Sequence, residues 1–146
     1  MIGLDDIKNI LISDLRANNV FNSISNITKD VHDPILRNNV IERIVIVIPG
    51  GADNGQFERS YPRVCIYIPK IINHTSSNIN YHVMNAIRIN ALENECLNTF
   101  RSVVYGTFGN EVYLYKLNEI TIENDEETFS NCINCQLKFE VVNTRL

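Results

Sequence analysis

Few residues in this chain have the type and spacing to do chemistry. The nearest to a motif is Cys132-x-x-Cys135. A structural zinc site needs a second pair of ligands, and a redox pair of this spacing wants its first cysteine at a helix start. Both cysteines fall instead in a stretch of strand-like alternation, where a spacing of three sends side chains to opposite faces. They read as structural thiols, with Cys65 and Cys96 as small buried hydrophobes beside them. His32, His74 and His82 are scattered, and no HExxH spacing joins them. Gly50, Gly51, Asp53, Asn54 and Gly55 form a glycine-rich loop, but no Lys-Ser/Thr and no helix follow to hold a phosphate. It reads as a hairpin connection or an exposed contact loop. No G-x-S-x-G elbow is present. Glu123, Asp125, Glu126 and Glu127 crowd like charges into one turn, without the fixed glycine of a calcium loop. No metal, no cofactor and no catalytic role is assigned.

The elements that must position these residues follow from hydrophobic period. Asp5 and Asp6 precede Ile7, Ile10, Leu11 and Leu15, which predicts a helix over residues 4–17 with acids at its positive end. Asn18-Asn19 breaks it, and residues 20–31 read equally as a helical turn or an edge strand. Residues 41–48 are β-branched enough to be a central strand, ended by Pro49-Gly50-Gly51. Val64, Ile66 and Ile68 alternate with Cys65 and Tyr67 in a second strand over 62–69, too close for a crossover helix and therefore antiparallel if the two pair directly. Polarity rises over 72–80, which reads as a surface loop, and Tyr81 to Ile89 as an extended continuation. Leu92, Cys96, Phe100, Val103 and Val104 predict a second helix over 92–104. Residues 111–122 return to period two, with Lys116 and Asn118 interrupting. Ile133, Cys135, Leu137, Phe139 and Val141 then share one parity of a half-buried strand over 129–142. The sum is one α+β domain over residues 1–146, an antiparallel sheet of at least four strands with two helices packed against it.

Composition bounds the rest. The chain of 146 residues is 45% hydrophobic and 21% charged, which suits one globular domain that buries a core without staples. A net charge of -4 argues against coating nucleic acid. The opening MIGLDDIKN has neither a basic n-region nor an apolar run, and no stretch is long enough for a membrane helix, which predicts synthesis in the cytoplasm and no membrane partner. Arg37, Arg43, Arg59, Arg63, Lys70, Arg88 and Arg101 are interspersed with acids; Arg59 and Arg63 flank Ser60-Tyr61-Pro62, where they would serve a partner contact or ordinary salt bridges. Apolar residues on both parities of 41–48 and 64–68 ask for cover on both sheet faces, from local chain or a partner subunit.

In order and size of elements, the helix 4–17, the strand 41–48, the loop 50–59, Tyr61-Pro62-Arg63-Val64-Cys65-Ile66-Tyr67-Ile68, the helix 92–104 and the final Leu137-Lys138-Phe139-Glu140-Val141 together resemble the tail terminator and tail-completion proteins of bacteriophages. The resemblance implies a non-enzymatic virion protein, made in the host cytoplasm, that forms a homo-oligomeric, commonly hexameric, ring at the head-proximal end of the tail. Its partners would be tail-tube and neck or connector proteins, with DNA only passing through the channel. By position, Gly50, Gly51, Asp53, Asn54, Gly55, Arg59 and Arg63 would contact a neighbour or the tube, and Glu123, Asp125, Glu126 and Glu127 would face the channel. A neck protein of a short-tailed phage fits nearly as well. The rival classes are a small enzyme or ligand-binding domain, marked by a concave pocket of convergent polar groups, and a monomeric accessory protein with no large apolar patch outside its core.

Overall fold

A computed structural model describes residues 2–49, 59–74 and 80–142. The first helix, α1 (Leu4–Ala17), has the predicted bounds and buries Ile7, Ile10, Leu11 and Leu15. The Gly3 N–H donates to the Asp6 carboxylate at 2.8 Å, which satisfies one of the free amides at its start. Asn18 ends it and does more: its side-chain oxygen accepts from the Val20 and Phe21 amides, while its NH2 donates to Glu95 at 2.9 Å. The ambiguous stretch that follows resolves into a single turn, Phe21–Ser23, and then a short strand, β1 (Asn26–Thr28).

The remaining strands are β2 (Arg43–Val47), β3 (Arg59–Ser60), β4 (Arg63–Pro69), β5 (Ile71–His74), β6 (Asn80–Val83), β7 (Val104–Phe108), β8 (Glu111–Asp125) and β9 (Ser130–Val142). The main sheet runs β1-β2-β4-β9-β8-β7, with β3 also paired to β9, and β5-β6 forms a separate hairpin. The fold is α+β with two helices, and its sheet is antiparallel except where β1 lies parallel to β2. That pair departs from the all-antiparallel expectation. A parallel pair requires a connection that crosses a sheet face, and here the chain carries a turn at Pro34–Arg37 that packs Leu36 on Val45, Cys65 and Cys132.

β3 and β4 keep a single register on β9, with Ser60 opposite Phe139 and Arg63 opposite Gln136. They are one strand interrupted at Tyr61-Pro62, because proline has no amide to add to the ladder; the Leu137 N–H donates to the Pro62 carbonyl at 2.8 Å. The interruption in the period of β8 is a bulge at Asn118, where pairing shifts between Leu117 and Glu119. Ahead of it Tyr113 and Tyr115, not Val112 and Leu114, belong to the core; beyond it Ile120 takes that side.

The second helix, α2 (Ala86–Phe100), starts six residues earlier than the period of Leu92 suggested, because Asn85 caps it by accepting from the Arg88 amide. Ile89, Leu92, Cys96 and Phe100 form its buried stripe, and Val104 opens β7 instead of closing the helix. Where a loop and an extension were expected over 72–89, residues 72–74 and 80–83 belong to the β5-β6 hairpin and 86–89 to the first turn of α2, while residues 75–79 lie outside the described residues. Both helices lie on one sheet face, where Ile44, Ile46, Val64, Ile66, Ile133, Cys135, Leu137 and Phe139 are buried. Stacked rings run through this core: Phe21 on Phe100 at 6.0 Å, Phe139 near Tyr115 at 5.9 Å and Tyr113 at 5.2 Å. The Tyr115 hydroxyl donates to Asp14 at 2.6 Å and so ties α1 to β8. No helix among the described residues is long and apolar enough to cross a membrane.

Candidate functional site

On the face turned away from the helices, polar groups of several strands converge. Period two and the ladder registers arrange it as rows across four strands. One row is Val47, Arg63, Gln136, Glu119; the next is Val45, Cys65, Asn134, Thr121; the third is Arg43, Tyr67, Cys132, Glu123. The face is therefore graded, apolar on β2 under Leu36 and acidic on β8. Period two alone would have revealed this, except that the Asn118 bulge resets the parity of Glu119, Thr121 and Glu123.

Arg43 sits at the apolar end and is fully buried. Its Nε donates to the Leu36 carbonyl at 3.1 Å, one terminal nitrogen to the Ile41 carbonyl at 3.0 Å and the other to Ser130 Oγ at 3.3 Å. The guanidinium lies 4.8 Å from the centre of the Tyr67 ring, a cation–π distance. Burial pushes its proton affinity down, opposed by Tyr67, Asp125 and Cys132; burial likewise pushes the Tyr67 hydroxyl well up. No sequence pattern marks this arginine, since its partners are backbone carbonyls brought in by the crossover.

The polar half holds two shallow depressions. One, of about 190 Å³, is lined by Arg63, Glu119, Thr121, Glu123, Asn134 and Gln136. Within it Asn134 Nδ2 donates to Glu123 at 3.2 Å, while Arg63 Nε and Asn134 Oδ1 are buried without partners among the described residues. The other, of about 470 Å³, brings Glu123, Asp125, Glu126 and Glu127 together with Tyr67, Asn124 and Cys132. Arg59 continues the same face from β3 and pairs with Glu140 at 3.4 Å, and Lys138 with Arg59 holds the Glu140 carboxyl below its usual range. Of the residues singled out by sequence, the four acids and Arg63 thus share one surface through Glu123. Gly50, Gly51, Asp53, Asn54 and Gly55 lie outside the described residues.

Chemically the two depressions offer carboxylates and amides around Arg63, an arrangement that disfavours phosphate and suits hydrogen bonding to a protein surface. His82 stands elsewhere, stacked on Phe129 at 4.2 Å, and His32 is exposed before the Pro34–Arg37 turn. Among the described residues no group of three or more His, Cys, Asp or Glu is placed to hold a metal ion. Cys132 and Cys135 point apart, the first into the cluster with Val45 and Cys65, the second into the main core.

A second surface was missed by sequence reasoning. Ile71 and Ile72 on β5, Met84 after β6 and Ile87 on α2 are exposed, Ile87 by 86%. Phe129, 42% exposed, is joined to Ile72 through His82, which lies opposite Ile72 in the ladder and stacks on the Phe129 ring; Phe129 has a φ of 48° and its carbonyl accepts from the Lys70 amide at 2.8 Å. Part of the signal was available: Ile71-Ile72 is an apolar pair that no amphipathic period requires, since neighbours in a strand face opposite ways.

No protein-family model, no curated protein and no solved structure matches the chain.

Proposed function

We propose that this chain is a structural subunit that assembles with copies of itself into a closed ring, of the kind that caps a phage tail tube and joins it to the head. The observation that carries the reading is the set of exposed apolar side chains at the hairpin and the start of α2, Ile71, Ile72, Met84 and Ile87, with Ile72 joined to exposed Phe129 through His82. A single small domain gains nothing by leaving these side chains in water, and exposed apolar groups gathered in this way mark a surface that a partner covers. The graded open face supports the same reading, since its acidic and amide groups suit a polar rim better than a transition state.

Ring symmetry would repeat each subunit's charge, so Glu123, Asp125, Glu126 and Glu127 would become an acidic belt. A belt of this sign weakens adhesion of DNA in transit, whereas a basic one would retain it. The partners on this reading are neighbouring copies, the tail tube and a neck or connector protein, with no catalytic step. The test is cryo-electron microscopy of assembled particles from cells producing the chain. The expected result is six copies on the head–tail axis with the Ile72 and Ile87 surface at a subunit or tube contact. Absence of the chain from particles, or isolated copies away from that axis, overturns the reading in favour of a soluble accessory domain.

A further inference from the structure

The main sheet ends on β7, and this edge differs from the sheet's other free margins. β1, at the opposite end, is three residues long. β8 beyond Tyr115, past the reach of β7, carries the Asn118 bulge together with Lys116, Glu119 and Glu123. Shortness, bulges and charges are devices that keep a sheet edge from pairing with another chain. β7 has no bulge and no charge. From Ser102 to Asn110 the chain holds neither a charged residue nor a proline, and the ladder with β8 runs unbroken over all five residues. Among the described residues no strand lies on the outer side of β7. Val103, Tyr105 and Phe108 stand exposed along it.

The strand is complementary to itself. Tyr113 and Tyr115 belong to the core and lie opposite Gly106 and Val104, so Val104, Gly106 and Phe108 face the helix side and Tyr105 and Thr107 the open side. An antiparallel pair centred on Gly106 engages all five residues. It sets Val104 across from the partner's Phe108 and Tyr105 across from the partner's Thr107, an apolar pair and an aromatic pair with a β-branched residue, both of which stabilise a ladder. At the centre glycine meets glycine, and the Tyr113 ring already occupies the space of the missing side chain. Arg101 and Glu111 bound the uncharged segment. An antiparallel partner brings these unlike charges together at each end, whereas a parallel one would set like beside like.

We infer that the β7 edge is an interaction surface for a second copy of this chain, whose own β7 pairs with it antiparallel across a two-fold axis at Gly106, so that two main sheets run on as one. The occupant is a copy because one segment supplies both halves of every match. Each copy offers one such edge, so the contact closes on itself as a dimer and does not propagate into a fibre. Two strands of five residues fall short of the roughly 1,200 Å² that a stable interface buries, so the dimer is weak and forms at high concentration. The inference does not rest on the ring, whose apolar surface lies on β5 and α2.

The experiment uses the full chain carrying Ile87→Lys, which sets a charge in the surface assigned to the ring and leaves β7 as the contact under test. Sedimentation from micromolar to millimolar concentration reads association, and hydrogen exchange at both ends of that range reads where it occurs. The expected result is a monomer–dimer equilibrium with slower exchange at β7 amides in the dimer. Tyr105→Lys, at an exposed position, spoils two cross-strand pairs by symmetry and should raise the dissociation constant about tenfold. Adding Thr107→Glu should restore the dimer, because the two-fold sets the introduced charges opposite one another; Thr107→Lys with Tyr105→Glu is the second pair if the first does not fold. A monomer at millimolar concentration, indefinite aggregation, a dimer with unchanged β7 exchange, a Tyr105→Lys chain that dimerises as well as its parent, or folded double variants that stay monomeric would each overturn the inference.

Discussion

Replacing Arg43 by methionine, which keeps most of its length and removes its charge, tests what holds the crossover on the open face. Two terms oppose each other. Removing the guanidinium loses three hydrogen bonds to the Leu36 and Ile41 carbonyls and Ser130 Oγ, each worth ~1.5–3 kcal/mol as a bond to a charged group. It also relieves the desolvation of a buried cation, several kcal/mol in real proteins. A like-sized apolar replacement can therefore be neutral where a buried ion pair is removed whole, but that is not the situation here. Arg43 has no carboxylate partner among the described residues, so two backbone carbonyls and the Ser130 hydroxyl stay behind. Ser130 keeps its own donation to the Thr128 carbonyl at 3.1 Å, whereas the carbonyls of Leu36 and Ile41, both half-buried, recover water only in part. The balance is a loss of ~2–4 kcal/mol, a large share of the ~5–15 kcal/mol that holds a domain together. Urea unfolding followed by circular dichroism should show a lower midpoint at unchanged slope. Hydrogen exchange should quicken first at the Leu36 and Asn38 amides, whose bonds to Asp33 and Ile35 close the turn. A variant as stable as the wild type, or more so, would refute the claim that these bonds outweigh the cost of burying the charge.

Gly106→Ala should cost ~1–3 kcal/mol and alter near-ultraviolet circular dichroism, because a Cβ at Gly106 would collide with the Tyr113 ring, which is held by stacking on Phe139; an unchanged spectrum would show that the ring moves freely. Burial first, and then its bond to Asp14, raises the Tyr115 hydroxyl above the ordinary tyrosine range. The folded state thus keeps a proton that the unfolded state gives up above pH ~10, so this stabilisation is complete below that pH and is lost above it at ~1.4 kcal/mol per pH unit. Denaturant melts between pH 9 and 11 check the slope, and a flat profile contradicts it. Ile87→Lys, at an 86% exposed helix position, should leave monomer stability within ~0.5 kcal/mol yet abolish ring assembly, as read by particle imaging; intact rings would remove Ile87 from the contact.

What the sequence made legible was what period alone decides. The bounds of α1 and the buried parity of β9 follow from Ile7, Ile10, Leu11 and Leu15, and from Ile133, Cys135, Leu137 and Phe139, which leave no other face to bury. The opposite orientations of Cys132 and Cys135 follow from the same argument. The start of α2 was readable at Asn85 but was masked by isoleucines that suit a strand as well as a helix. β1 was not decidable locally, since a strand of three residues exists only because β2 supplies its partner. The acidic half of the open face could be seen as a turn, but its alignment with Arg63, Asn134 and Gln136 depends on the bulge. Arg43 was illegible because the groups that neutralise its burial are main-chain carbonyls, which every sequence contains.

The single extra residue at Asn118 acts on the whole length of β8 beyond it. Pairing every residue of β8 without that bulge would carry Glu119, Thr121 and Glu123 to the helix side and turn Ile120 and Ile122 outward, exchanging a charged sheet face for a greasy one. Loss of the Asn118 codon would instead leave Glu119 directly after Leu117, so the ladder would run straight with every side chain beyond it facing as before. Loss of a second residue from the same stretch has no bulge left to absorb it and would act as a frameshift in space, reversing the facing of all that follows.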